Sequence, residues 1–257
     1  MSAFVKTKLL PSGHSIPAVA LGVYQSAPGP ETYDAVISAL KLGYRHIDTA
    51  TVYRNESDVG KAIRDSGIPL EGVRLSNRKL GLNYIDLYLL HAPFDSTTRA
   101  EAWKALEDMQ SEGIVRDIGV SNFGELHLQK LAETWRVKAA VNQVELHPWL
   151  ARADTVKYCE EHGIIMEAYS PLARAQKMHD RTLKQVAREL GATSAQVLIA
   201  WSLAKGFVTL PKSVTESRIK ENLEAAKLDI TSEQMDKLNR LDGYFVTAWD
   251  PIKDHAV

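Results

Sequence analysis

Two side chains that can exchange or tune a proton follow one short apolar stretch of this chain. Asp48 comes directly after residues 44–47, which read as a buried strand, and Tyr53 lies in the loop beyond. An acid and a phenol separated by a tight loop can share a site in which the phenol gives a proton and the acid fixes its surroundings. The structural alternative is that Asp48 caps the following turn and Tyr53 packs at the rim.

Further polar side chains fall at the ends of other predicted strands. They are His91, Ser121, Asn122, Gln143, Tyr169, Ser170, Lys212 and Ser213. Each has a structural explanation by itself, because a histidine at a strand end is commonly a satisfied internal residue and Ser-Asn or Lys-Ser pairs can cap helices. Together they supply an imidazole, amides suited to a carboxamide, an aromatic face and a basic anchor. Such a set fits a nicotinamide nucleotide beside a carbonyl group.

An alternation of strands and helices must position these residues. A hairpin within residues 9–22 ends in a first strand near Gly22, and later strands are predicted at 44–47, 85–91, 115–121, 139–147, 163–170 and 206–213. Helices between the strands demand a parallel sheet. We therefore predict an α/β protein, a (β/α)8 TIM barrel with a short N-terminal hairpin, as one domain over residues 1–257. The first strand lacks a following G-x-G-x-x-G, which disfavours a Rossmann sheet.

Composition excludes several functional classes. The chain has 257 residues and a formal net charge of -1, with acids and bases spread along it. It has no basic stripe for nucleic acid, no polybasic patch for a membrane surface and no apolar run of the roughly 20 residues that span a bilayer. The lone cysteine, Cys159, reads as core packing, and the sequence gives no set of metal ligands. We expect a cytoplasmic protein, a monomer or weak dimer, that acts on a small molecule.

Long segments of the chain resemble the aldo-keto reductases. These are GYRHIDTATVYRNE, LLHAP, GVSNF, NQVELHP, AYSPLAR and LPKSVTESRIKEN. The resemblance covers nearly the whole chain. It implies that Tyr53 is the general acid for a substrate carbonyl, that His91 orients the carbonyl oxygen and that Asp48 supports Tyr53.

The same resemblance implies a bound NADPH or NADP+. Ser121, Asn122 and Gln143 match the residues that hold the carboxamide, and Tyr169 matches the ring stacked on the nicotinamide. The residues implied for the far end and the pyrophosphate are Ser170, Leu172, Lys212, Ser213, Arg218 and Asn222, with Pro171 and Arg174 in the same covering loop. Two cations near a helix start suit a 2'-phosphate, which favours NADPH over NADH. Tyr24, Trp149 and Trp249 are candidate substrate-pocket walls, with core packing as the alternative.

One segment departs from the family pattern. The stretch GIPLEGVRLSNRKLGLNYIDLY passes from the start of the third strand almost directly to the end of the third helix, so the barrel is predicted to be missing or shortened at the third βα unit. The family's catalytic lysine lies at the end of that strand and has no counterpart here. Lys79 precedes the strand at 85–91 and Lys61 lies on a helix, so we reject both as substitutes. The gap is a true deletion, a splicing or gene-prediction product, or an omission from the sequence.

The absence of this lysine leaves three functional hypotheses. A positive charge beside Tyr53 would lower the pKa of the phenol, whereas Asp48 pushes that pKa upward. The first hypothesis is an NADPH-dependent reductase of aldehydes or ketones, fully or weakly active. The second is a catalytically impaired relative that still binds the nucleotide. The third is an interaction protein that uses an open barrel edge as a pairing surface.

Overall fold

Short strands and helices alternate along the chain in the predicted order. The computed structural model describes residues 6–68, 81, 84–93, 96–247 and 249–253. The strands are Thr7–Leu9 (β1), Ser15–Pro17 (β2), Leu21–Gly22 (β3), Ile47–Asp48 (β4), Ile85–Leu90 (β5), Val115–Ser121 (β6), Val141–Glu145 (β7), Ile165–Tyr169 (β8) and Val208–Leu210 (β9). The α-helices are Pro30–Leu42 (α1), Glu56–Asp65 (α2), Arg99–Ser111 (α3), Glu125–Ala132 (α4), Ala153–Glu161 (α5), Arg181–Leu190 (α6), Ser194–Ala204 (α7), Glu216–Glu224 (α8) and Ser232–Asn239 (α9).

The strands β3 to β9 follow one another in a parallel order. Strands β5, β6, β7, β8 and β9 form one sheet in that order, and β3 pairs with β4. Isolated parallel bridges from Val19 to Thr209 and from Gly22 to Lys212 link β3 to β9, and the Ala20 N–H donates to the Thr209 carbonyl at 2.9 Å. The spatial order is therefore β4, β3, β9, β8, β7, β6, β5. All seven carboxyl ends lie at the same edge, as expected for a barrel of this class.

The two ends of this order, β4 and β5, flank the segment in which the third βα unit is predicted to be missing. Within the described ranges, no strand pairs with the outer edge of either one. Residues 69–80, which include Gly72 to Leu75 and Lys79, lie outside the described residues. The missing unit and the open edge proposed for an interaction protein therefore stay predictions.

Helix α1 shows how the sequence sets the element boundaries that bring Asp48 to the site. Pro30 opens the helix, where its missing N–H has no cost, and Gly43 ends it with a φ of 106° and an N–H directed at the carbonyls of Ala39 and Leu40. The strand predicted at 44–47 is shorter than expected, and only Ile47 and Asp48 pair. Tyr44 packs in the core instead, and its hydroxyl donates to the Ile219 carbonyl at 2.8 Å.

The hairpin β1–β2 packs its apolar side chains against the inner strands. Leu10 and Ile16 share one buried cluster with Leu87, Val141 and Val208, all of which lie on strands of the parallel sheet. The hairpin therefore covers the end of the barrel opposite the strand carboxyl ends, which leaves those ends free for a site. No helix in the described part of the chain is long and apolar enough to cross a lipid bilayer.

Candidate active site

Nearly all of the predicted site residues line one cavity at the strand carboxyl ends. The cavity has a volume of about 1410 Å³. The predicted residues that line it are Tyr24, Asp48, Tyr53, His91, Ser121, Asn122, Gln143, Tyr169, Ser170, Leu172, Lys212, Ser213, Arg218, Asn222 and Trp249. This volume exceeds that of typical small-ligand pockets, which hold roughly 300 to 1,000 Å³. The space is large enough for a dinucleotide and a second small molecule together.

Tyr53 lies beside two other rings, those of Tyr24 and His91, at one end of the cavity. A single 3-10 turn, Thr51–Tyr53, follows β4 and brings the phenol back over the strand end, and Arg54 ends the turn in the left-handed region with φ 59°. The Tyr53 ring lies 5.0 Å from the Tyr24 ring and 6.4 Å from the His91 ring, measured between centroids. Tyr53 and His91 therefore stand edge to face, with an interplanar angle of 80°.

Burial dominates the electrostatics at this end. It raises the pKa of the Tyr53 phenol, and the nearby Asp48 raises it further. Burial also raises the pKa of Asp48 to about 6, against the opposing effect of a hydrogen bond from Gln143. It lowers the pKa of His91, so this imidazole is neutral at physiological pH. The phenol and the imidazole are therefore both uncharged hydrogen-bond partners at neutral pH.

In the described part of the chain, no lysine or arginine forms an ion pair with Asp48. Lys61 forms a salt bridge with Asp65 on α2 and lies 4.5 Å from the centroid of the Tyr33 ring, so it does not reach the cavity. Lys79 lies outside the described residues. The rejection of Lys61 as a substitute therefore agrees with its position.

Three predicted carboxamide-binding residues and Tyr169 form a connected hydrogen-bond network. The Ser121 hydroxyl donates to the Gln143 carbonyl at 2.8 Å, and the Asn122 amide nitrogen donates to the His91 carbonyl at 2.9 Å. The Tyr169 hydroxyl donates to Asn122 Oδ1 at 2.8 Å. Asn122 adopts the left-handed conformation, with φ 62°, that lets the chain leave β6 toward the cavity. The network fixes four strand ends relative to one another.

Gln143 links this network to two acids, the half-buried Asp48 and the buried Glu167. Its amide nitrogen donates to Asp48 Oδ1 at 3.1 Å and to Glu167 Oε2 at 3.0 Å. Glu167 lies beside Gln143 in the register of β7 and β8, and burial raises its pKa to about 8. The sequence analysis did not single out Glu167. The available signal was an acid inside the otherwise apolar stretch GIIMEAYS, where a charged residue is costly unless it has a partner.

The loop after β8 forms one wall of the cavity. Ser170, Ala173, Arg174 and Ala175 all have positive φ angles, between 46° and 62°. Non-glycine residues seldom adopt this conformation, and such strain concentrates where a loop forms a binding surface. Arg174 lines the cavity and its guanidinium donates to the Thr247 carbonyl at 3.4 Å, so this loop also contacts the C-terminal tail.

The far end of the cavity is basic. Lys212 and Arg218 are exposed, and neither forms an ion pair with a carboxylate in the described ranges. Ser213 accepts from the Thr215 N–H at 3.1 Å, which holds the turn that opens α8. Asn222 is buried on α8, and Glu221 beside it also lines the cavity, although the sequence analysis did not select it. Lys212 and Arg218, which have no ion-pair partner in those ranges, lie at the start of α8 and form an anion-binding surface.

The three candidate pocket walls divide into two groups. Tyr24 and Trp249 line the cavity and are 47% and 42% exposed. Trp149 does not line it. This residue is 5% exposed, packs against the His147 ring at 6.0 Å and accepts the Phe245 N–H at its carbonyl, so core packing is the correct interpretation. The described residues contain no group of three or more histidine, cysteine or acidic residues placed to hold a metal ion.

The tail that includes Trp249 is held by two buried side chains. Glu145 accepts the Thr247 N–H at 3.1 Å. Arg152 forms an ion pair with Asp250 at 2.9 Å and donates to the Tyr244 hydroxyl at 3.2 Å. These contacts fix the wall of the cavity nearest to Trp249.

Comparison with known proteins agrees with this arrangement. Residues 69–242 match the family described as Aldo/keto reductase family. An uncharacterized oxidoreductase of Schizosaccharomyces pombe is 38% identical over 275 residues, which cover 98% of each chain. Glyoxal reductase of Bacillus subtilis is 37% identical, with 92% of each chain covered. A crystal structure of an aldo/keto reductase from Brucella melitensis matches with a TM-score of 0.89 and 37% identity, over 93% of this chain and 100% of that one.

These matches bear on the missing segment and on the fold class. The alignment with the Schizosaccharomyces pombe protein runs over 275 residues, more than the 257 of this chain, so that relative contains residues that this chain lacks. A chain that lacks one segment must be shorter than its relative in this way. The position of the missing segment stays a prediction. The likeness to solved aldo/keto reductases also indicates the (β/α)8 class for the parallel strands described above. The chain is an oxidoreductase that belongs to the aldo/keto reductase family.

Proposed function

We propose that this protein reduces an aldehyde or a ketone to an alcohol with NADPH, and that Tyr53 is the general acid. The observation that supports this most is the cavity, which has a neutral phenol and imidazole at one end and, at the other, two cations that form no ion pair within the described residues. A nicotinamide dinucleotide phosphate has matching ends: a ring that reacts with a carbonyl, and a 2'-phosphate that requires cations.

At the reactive end, Tyr53 and His91 have complementary roles. Both are neutral near pH 7, so each can donate a hydrogen bond to a carbonyl oxygen between them. The oxygen gains negative charge as the carbonyl carbon is reduced, and the Tyr53 proton then moves to that oxygen to complete the alcohol. Solvent returns a proton to the phenolate. Asp48 supports the turn below Tyr53 and contacts the cofactor region through Gln143.

At the binding end, the chain fits the cofactor in three places. Ser121, Asn122 and Gln143 present amide and hydroxyl groups of the kind that pair with a carboxamide. The strained loop at 170–175 covers the middle of the cavity. Lys212 and Arg218 are placed to neutralise a phosphate, and the bidentate geometry of arginine suits that group. A bound nicotinamide cofactor would supply the hydride.

An impaired, nucleotide-binding protein is the second candidate. It is favoured by the raised pKa of Tyr53 and by the lack of a cation paired with Asp48 in the described part of the chain. A phenol that holds its proton too tightly is a poor general acid, whereas the binding end does not depend on it. This candidate predicts tight binding of NADPH without turnover of any carbonyl.

The variant Tyr53→Phe separates the two candidates. We measure NADPH consumption with a panel of aldehydes, dicarbonyls and ketones, and NADPH binding by protein fluorescence. Under the main proposal, the variant loses about 10² to 10⁴-fold in turnover and keeps its affinity for NADPH. Tyr24→Phe is the matched control, because it removes a neighbouring hydroxyl in the same cavity, and we expect a change of only a few-fold.

Wild-type protein that binds NADPH but turns over no carbonyl supports the second candidate. Equal turnover by Tyr53→Phe and wild-type protein would show that another group is the acid. Protein that binds no NADPH overturns both candidates.

A further inference from the structure

Glu167 is a buried carboxylate with one hydrogen-bond partner. It is 1% exposed, and its Oε2 accepts from Gln143 at 3.0 Å. Its second oxygen, Oε1, has no hydrogen-bond partner. His46 Nε2 lies 4.0 Å from Oε1, which is beyond hydrogen-bond distance. In the part of the chain that the structure describes, no lysine or arginine pairs with Glu167.

Such a group destabilises the fold in which it lies. A buried carboxylate normally requires an ion pair or several hydrogen bonds, and an unsatisfied buried polar atom opposes folding. Its neighbours on β8, Met166 and Ala168, are apolar and buried, so the strand would pack well with an apolar side chain at this position. Packing therefore does not explain why a glutamate stands at position 167. The hydrogen bond from Gln143 is the interaction that an apolar side chain there would lose.

The contact determines which way the Gln143 amide faces. A glutamine amide can be turned over with little change in shape, which exchanges its oxygen and its nitrogen. In this structure the nitrogen lies between two carboxylates, Asp48 and Glu167, and uses both of its hydrogens on them. When both acids are ionised, which for Glu167 requires a pH above about 8, the reversed amide would bring its oxygen against two groups that only accept hydrogen bonds. The two acids therefore leave the amide oxygen for the cavity that Gln143 lines.

One acid would not be enough to enforce this orientation. With Asp48 alone, the second N–H of Gln143 would be free to face the cavity, and the amide would present a donor as readily as an acceptor. Glu167 occupies that second N–H from the neighbouring strand, at the position directly opposite Gln143 in the register. The preference for an acceptor thus depends on Glu167.

We propose that Glu167 is a positioning residue that fixes the Gln143 amide with its oxygen toward the cavity, so that the site selects a nicotinamide whose carboxamide donates an N–H. The inference rests on the proposed function, since it assigns a ligand group to the cofactor end of the same cavity. It makes a further claim, that the selectivity for a carboxamide over a group of similar shape without an N–H comes from a residue that does not touch the cofactor.

The test compares two ligands on four proteins. The ligands are NADP+ and its 3-acetylpyridine analogue, in which a methyl ketone replaces the carboxamide and removes the N–H donors. The proteins are wild type, Glu167→Met, Glu167→Gln and Met166→Leu, with dissociation constants from titration calorimetry at about pH 9, where Glu167 is ionised. Glu167→Met removes the acceptor without adding a buried polar group, so we expect it to fold. Met166→Leu is a matched control for disturbance of β8.

We expect wild type and Met166→Leu to prefer NADP+ about tenfold, which is the typical size of one hydrogen bond to a buried group. In Glu167→Met the preference should fall to within about twofold. Glu167→Gln should lie between, because its side-chain oxygen can still accept from Gln143 while its nitrogen can also donate.

The remaining outcomes overturn the inference or the function on which it rests. Equal weakening of both ligands in Glu167→Met would show that the residue only supports the fold, and the proposed function would stand. A wild-type protein without any preference would also overturn the inference. Failure of the wild type to bind either ligand would instead overturn the proposed function.

Discussion

At the scale of single residues, the cavity has opposite chemical character at its two ends. Asp48 and Glu167 are buried acids with raised pKa values near the predicted nicotinamide, while Lys212 and Arg218 are exposed cations at the far end. Acids withdrawn from solvent fix geometry because they require specific hydrogen-bond partners, whereas exposed cations act through attraction of an anion. Asp48 and Glu167 therefore orient the groups that surround the nicotinamide site, and Lys212 and Arg218 add affinity for an anionic cofactor.

Arg218 allows a direct test of the cofactor assignment. In Arg218→Met we expect the preference for NADPH over NADH to fall at least tenfold, because an exposed arginine that meets a phosphate forms charge-assisted hydrogen bonds. Dissociation constants for both nucleotides give the measurement. Lys220→Met is the control, since Lys220 is an exposed cation on the same helix that does not line the cavity. A preference that Arg218→Met leaves unchanged would contradict the role of this residue.

The sequence predicted the residues at strand ends better than those inside strands. Polar residues such as Asn122 and Lys212 follow apolar runs, so the rule that parallel strands end at a common edge was enough to place them in one cavity. Glu167 lies within an apolar run, and only the register of β7 and β8 brings it to Gln143. The sequence left Trp149 open between a pocket wall and core packing for a related reason, since a motif does not reveal whether a ring faces the core or the cavity.

At the scale of elements, one strand was predicted closely, and helix α1 shows how proline and glycine fix element boundaries. Strand β6 matches the prediction at 115–121, and α1 starts at Pro30 and ends before Gly43. These residues act through backbone geometry that is local to the sequence. The strand at 44–47 was predicted too long because burial of Tyr44 does not require a ladder, and the Tyr44 hydroxyl finds its hydrogen-bond partner on α8 instead.

The C-terminal tail shows how one element shapes a pocket made by others. Trp249 lines the cavity only because the tail is anchored through Asp250 to Arg152 and through Thr247 to Glu145. We expect Asp250→Asn to lower the free energy of unfolding by about 1 to 3 kcal/mol, since it leaves the buried Arg152 without its charge partner. The KM for the carbonyl should rise several-fold, while the affinity for NADPH should stay the same.

Urea unfolding and steady-state kinetics measure these two effects. Lys253→Met serves as the control, because Lys253 is exposed and its Nζ lies 3.8 Å from the centroid of the Tyr244 ring, so the substitution removes a charge from the tail without touching the pair of Asp250 and Arg152. Its effect should stay below about 1 kcal/mol. A large rise in the dissociation constant of NADPH for Asp250→Asn would refute the separation of the two ends of the cavity.

At the scale of the whole molecule, the buried acids make stability depend on pH. Burial raises the pKa of Asp48 from 3.8 to about 6 and that of Glu167 from 4.5 to about 8. The folded protein holds these protons at pH values where the unfolded chain has released them, so stability falls as the pH rises from about 4 to about 8. At about 1.4 kcal/mol for each pKa unit, the loss is on the order of 5 to 10 kcal/mol.

Urea unfolding without cofactor, at about pH 5 and about pH 8, measures this loss. Glu167→Met should remove most of the fall above about pH 6, because Asp48 is then ionised in both states. Met166→Leu should retain the wild-type dependence. Stability that increases over this range would contradict the burial of an ionisable Glu167.

The pairing of β3 with β9 has a consequence for how the protein folds. Residues 19–22 bond to residues 209–212, so β3, although β4 pairs with one of its edges early, waits for almost the entire chain before the partner of its other edge exists. At ribosomal speeds of about 5 to 20 residues per second, that wait lasts about 10 to 40 s. During it, β3 exposes an unpaired edge and apolar side chains to the crowded interior of the cell. Closure of the sheet between β3 and β9 is therefore a late, post-translational step, and nascent chains are most vulnerable to aggregation and chaperone capture before it occurs.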